Sequence, residues 1–137
     1  MRCELGTDIE TGELAWLNGP YPAGSWADIT FFCHMLMHQL DENERVEADD
    51  GYIGEAPRKV KCPASFANPI ENDTMQARVR HRHETVNGRM KQWDILSVPY
   101  RHEVGTHRTV FRAIAVITQL ALRNGGALFS VDYKDPE

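Results

Sequence analysis

Arg45-Val46-Glu47-Ala48-Asp49-Asp50-Gly51 (residues 45–51) is the stretch on which the fold turns. Val46 and Ala48 alternate onto one side of a short strand over residues 45–49, and Gly51 and Gly54 end it. Asp49 therefore stands at a strand end, just before a glycine turn. In α/β sheets such ends are where side chains meet ligands. Asp49 and Asp50 are adjacent, so they cannot share one strand face.

Upstream, the spacing predicts a helix over residues 26–40. Ser25 is a good N-cap with Asp28 three residues later, as in a capping box, and Ile29, Phe32, Cys33, Leu36 and Leu40 recur on one face. Before it, residues 2–9 and 14–17 read as two strands. The turn at residues 10–13 joins them, with Gly12 free to take positive φ, and Asn18-Gly19-Pro20 breaks the second. Downstream, Pro57, Pro63 and Pro69 make residues 55–74 an irregular loop. A basic helix follows over residues 74–95, with Val79, Val86, Met90 and Trp93 as its apolar stripe. A last helix covers residues 105–123. Its centre, residues 113–122, is apolar nearly all round and is expected to be buried, and Asn124-Gly125-Gly126 stops it. Strands first and helices interleaved later make an α/β order, a small sheet covered by helices.

A chain of 137 residues accommodates one domain, spanning residues 1–137. No run approaches the length of a transmembrane span, so none is expected and no membrane partner is foreseen, and Met1-Arg2-Cys3-Glu4 opens without an apolar signal region, which argues against secretion. Cys3, Cys33 and Cys62 are odd in number and scattered, as expected of reduced thiols rather than a disulfide framework. The net charge of −5 hides an asymmetry: residues 1–57 carry 12 acidic and 2 basic side chains, and residues 58–112 carry 5 and 11. Such a chain can collect divalent cations beside a surface that accepts phosphates. Two solvated faces that attract each other would look the same.

Glu84 is the second carboxylate that stands out, lying in the basic helix among Arg78, Arg80, Arg82, Arg89 and Lys91. An ion-pair role explains it too, since Arg80 at i−4 would add about 0.3 kcal/mol. His34 and His38 have helical i, i+4 spacing, but Met35 stands where a metalloprotease helix needs glutamate, so partly buried helix residues are the expectation. His102 and His107 flank a helix start and are expected to be surface polar residues, within possible reach of phosphate. Cys62 and Cys3 have no partner at zinc spacing, and no glycine-rich phosphate loop is present.

Ala48-Asp49-Asp50-Gly51-Tyr52 resembles the second-aspartate motif of Harbinger-type DDE transposases and their domesticated nuclease relatives. Arg82-His83-Glu84-Thr85-Val86-Asn87-Gly88-Arg89-Met90-Lys91 resembles their glutamate helix. Trp16-Leu17-Asn18-Gly19-Pro20, Gly24-Ser25-Trp26-Ala27-Asp28, Tyr100-Arg101-His102 and the segment from Ile117-Thr118-Gln119 through Leu128-Phe129-Ser130-Val131-Asp132-Tyr133 match in the same order. The resemblance implies an RNase H-like mixed sheet flanked by helices and a nuclease that depends on Mg²⁺ or Mn²⁺. It assigns catalysis and metal binding to Asp49 and Glu84 and makes Asp50 a turn residue. In-line attack on a phosphodiester needs charge neutralised at the entering and leaving oxygens, which two hard cations roughly 3.5–4 Å apart achieve. Arg80, Arg82, Arg89 and Lys91 would hold the DNA backbone. The family keeps its first aspartate on a strand upstream of the one beginning near Arg2. This sequence has none there, so an N-terminally truncated domain with an exposed sheet edge is expected. Asp8 is the nearest substitute, and Asp28 is accounted for by capping. An active endonuclease and a catalytically inactive DNA- or protein-binding remnant both remain open. The resemblance also implies a separate DNA-binding partner, and nuclear location is inferred from function alone.

Overall fold

The computed structural model describes residues 1–65 and 69–134, with side chains in the long basic helix from residue 74 onward. Strands β1 (Arg2–Thr7) and β2 (Leu14–Tyr21) form an antiparallel hairpin, with Glu4 opposite Asn18 and Leu5 opposite Leu17. Its turn is held by Asp8, whose Oδ1 accepts from the N–H of Thr11 at 2.7 Å and the hydroxyl of Thr11 at 2.8 Å, while Gly12 takes φ +75°.

Helix α1 (Asp28–His34) is shorter than the sequence suggests. Its N-cap is Ala27, without a side-chain cap; Ser25 donates instead to Pro22 within a turn, and Asp28 pairs with Arg2 at 3.4 Å. The capping box does not form. The helix breaks at Met35 and a 3₁₀ turn (Leu36–His38) follows, which leaves His34 and His38 on separate elements and exposed, not partly buried. The predicted apolar stripe survives the break, because Cys33, Leu36, Met37 and Leu40 all pack on a core of Phe32, Val60 and Cys62.

Strand β3 (Val46–Glu47) pairs in parallel with β4 (Val60–Lys61), which lies inside the segment expected to be an irregular loop. Helix α2 (Pro69–Lys91) also starts inside that segment, with proline at the first helical position, where the missing N–H costs nothing. Val79, Val86 and Met90 are buried as expected, but α2 ends at Lys91, before Trp93, which is 46% exposed. A short α3 (Asp94–Ser97) leads to α4 (Val104–Arg123), which contributes Phe111, Ile114 and Ala115 to a second core with Met90. Only one face of α4 is covered. Val116, Ile117 and Leu120 are exposed, contrary to the reading of an all-round buried helix.

The chain is thus mixed α/β. Instead of the single mixed sheet that the resemblance implies, the described residues form two sheets of two strands, each over its own apolar cluster. Helix α2 touches both β1 and β3 and so spans the two halves.

Candidate functional site

Asp49 lies two residues beyond β3 and is exposed. Its extended backbone lets it cap the 3₁₀ helix (Asp50–Glu55), with Oδ1 accepting from the N–H of Gly51 at 2.9 Å. A Cβ on Gly51 would sit 2.9 Å from that same oxygen, so glycine is what allows the carboxylate to fold over its own turn. Asp50 points elsewhere and accepts from the N–H of Ala64 at 2.9 Å, which ties the turn to the segment after β4.

A second acid, missed in the sequence, lies on β1. Glu4 is 9% exposed and accepts from the indole N–H of Trp16 at 2.7 Å across the hairpin. Burial pushes its carboxyl above the ordinary range, against the Trp16 bond, and the nearby charge of Asp28 adds to the rise. The Tyr52 hydroxyl is within electrostatic reach of Glu4, Asp28 and Asp49, and burial foremost, then these three charges, drive its pKa up. Carboxylates from β1, from the first turn of α1 and from beyond β3 therefore act on one phenol at a distance. No local pattern could have revealed this, since the three lie far apart in the chain.

Glu84 is exposed on α2. The helix that carries it rests against β3, one turn after Arg80, which is within electrostatic reach of Glu47. Among the described residues, no three His, Cys, Asp or Glu side chains come together as a metal-holding group. Asp49 caps the 3₁₀ helix beyond β3 and Glu84 lies on α2, and among the described residues neither joins a cluster of metal-ligating side chains. Asp8 is used in the hairpin turn, where the Thr11 hydrogen bonds hold its carboxyl below the ordinary range.

The basic residues expected at DNA divide. Arg82 is 4% exposed and donates to the carbonyl of Ile9, with Asp8 O at 3.5 Å, so it fastens the hairpin tip to α2 and presents no charge outward. Its burial, the larger effect, lowers its pKa against the pull of Asp8. Arg89 is half-buried and donates to the carbonyl of Gly126. Lys91 is exposed at the end of the helix.

No family model, curated protein or solved structure matches the chain.

Two further polar groupings escaped sequence reading. Around β3 and β4, the Tyr133 hydroxyl donates to Glu47 and Lys61 donates to the Tyr133 oxygen at 3.4 Å. Burial raises the Glu47 carboxyl and the Tyr133 phenol, and lowers Lys61. Near the start of α4, His107 is buried, not on the surface, and its ring meets Tyr100 edge-on with centroids 4.5 Å apart. Burial, foremost, lowers its pKa.

Proposed function

We propose that the chain is the Asp49–Glu84 part of a DNA-directed, divalent-metal-dependent nuclease of the DDE type with an RNase H-like arrangement. The observation that carries this reading is the position of Asp49: an exposed carboxylate just beyond the C-terminal end of a parallel strand, oriented by the Gly51 amide. Hard cations take oxygen ligands from several chain segments, and Asp49 and Glu84 come from two. Asp49 and Glu84 would hold magnesium or manganese, which supplies charge neutralisation at the phosphodiester oxygens when bound. The element order supports the reading. An antiparallel pair, a helix and a parallel pair follow one another in the chain, and one edge of β1 and one of β3 are unpaired among the described residues. Lys91, with Arg89 and Arg80, would meet the DNA backbone, without sequence information. Sequence-specific targeting would come from a separate DNA-binding partner, and the nucleus would be the place of action.

A non-catalytic binding module is the second reading, favoured by the exposed apolar side chains Val116, Ile117 and Leu120 on α4, which suit a protein surface. Calorimetric titration with Mn²⁺ tests the first reading. Asp49→Asn and Glu84→Gln are each expected to weaken uptake by about tenfold or more, since each removes a ligand charge. Uptake indifferent to both substitutions would remove the shared site.

A further inference from the structure

After α4 the chain reverses at Gly125 (φ +109°), and Gly126 closes the turn by donating to Ala121 O at 2.9 Å. The next residues, 127–134, form no strand or helix, yet they are held along α2 by a series of side chains. Arg89 donates to the carbonyl of Gly126. The Phe129 ring stacks on His81 with centroids 5.9 Å apart and planes inclined by 28°. The Arg78 guanidinium lies 5.8 Å from the centre of the same ring and donates to Ser130 O at 3.1 Å. Beyond it, Tyr133 anchors to Glu47 and lies under the Lys61 ammonium, 5.8 Å away. The segment thus descends α2 from Arg89 to Arg78. That stretch of helix is roughly 16 Å long at 1.5 Å per residue, and the step from residue 126 to 130 in extended chain is roughly 13 Å, so the two run side by side.

Each contact has the chemistry a single nucleic-acid strand would offer. Oxygen acceptors sit on two guanidinium groups, and a flat ring is stacked on imidazole and guanidinium between them. We propose that the face of α2 bearing Arg78, His81 and Arg89 is a single-stranded nucleic-acid surface, and that residues 126–133 occupy it as an internal stand-in for the strand. The proposal rests on the DNA-directed reading above and deepens it by naming the surface and its competitor. The displacement is favourable because phosphate oxygens carry charge and peptide carbonyls do not; charge-assisted bonds to guanidinium are roughly twice as strong as neutral ones. The segment can yield because no backbone ladder holds it and Phe129 is already 39% exposed.

The test uses the full chain and a fluorescent oligothymidylate. Phe129→Ala combined with Tyr133→Phe raises the population in which the surface is free, so binding is expected to tighten about tenfold, and adding Arg78→Ala should cancel the gain. A second measurement needs no variant: chymotrypsin should cut the unaltered chain after Phe129 or Tyr133 faster once the oligonucleotide is present. Oligonucleotide binding that is no tighter in the released variant, with unchanged or slower cleavage, overturns the stand-in and leaves the DNA-directed reading intact. No binding by either protein overturns both.

Discussion

Glu4 joins β1 to the acidic end of the molecule, and its environment makes a stability prediction at the scale of one residue. Its carboxyl is raised mainly by burial. A folded-state pKa above the unfolded one contributes stability that is complete below the unfolded value, about 4.3 for glutamate, and is lost as pH rises through the folded value. At neutral pH the buried carboxylate is therefore a cost. Glu4→Gln keeps an acceptor for the Trp16 indole and removes the charge. Its melting temperature at pH 7 is expected to exceed that of the parent by a few degrees, with the advantage gone near pH 4. An equal or lower melting temperature at pH 7 would show that ionised Glu4 is fully compensated. The place of Asp49, between a short strand and a glycine turn, was legible in the sequence because that pattern is local. Glu4 was not, because its partners Trp16, Asp28 and Tyr52 meet it only through the tertiary fold.

At the scale of elements, α2 shows which signals survive folding. Val79, Val86 and Met90 are buried, as their spacing predicts. The charges on the same helix could not be sorted by sequence, since solvent-facing arginine and carbonyl-capping arginine read alike. Arg82 is of the second kind. Arg82→Met keeps the aliphatic stem but leaves the Ile9 carbonyl without its donor, which is expected to cost about 1–3 kcal/mol in urea unfolding. The salt dependence of DNA binding should stay as in the parent. Lys91→Ala is expected to do the reverse, lowering the salt slope by about 1 and leaving stability unchanged. A loss of salt slope in the Arg82 variant would return that guanidinium to the DNA surface. Strand β4 was missed because Val60–Lys61 is too short for any periodicity and stands between prolines. Helix α1 was read too long for the opposite reason: its apolar spacing continues through a change of helix type at Met35 that the pattern does not record.

At the scale of the whole molecule, two sheets of two strands, each with its own apolar cluster, are spanned by one basic helix. The mixed α/β class followed from the alternation of elements along the sequence. The split into two sheets did not, because which strand edges pair is decided by long-range contacts. The charge asymmetry is visible in the structure as well: acids from three segments raise the Tyr52 phenol, while Lys91 and Arg78 stand exposed on α2. The central proposal is that Asp49 and Glu84, 35 positions apart, belong to one site for a hard cation. Paramagnetic broadening tests this most directly. With substoichiometric Mn²⁺ and a nitrogen-15-labelled chain, the amide signals of Gly51 and Thr85 are expected to fade together and to recover together in Asp49→Asn. Broadening that reaches Gly51 and spares Thr85, or that touches neither, would contradict a common site.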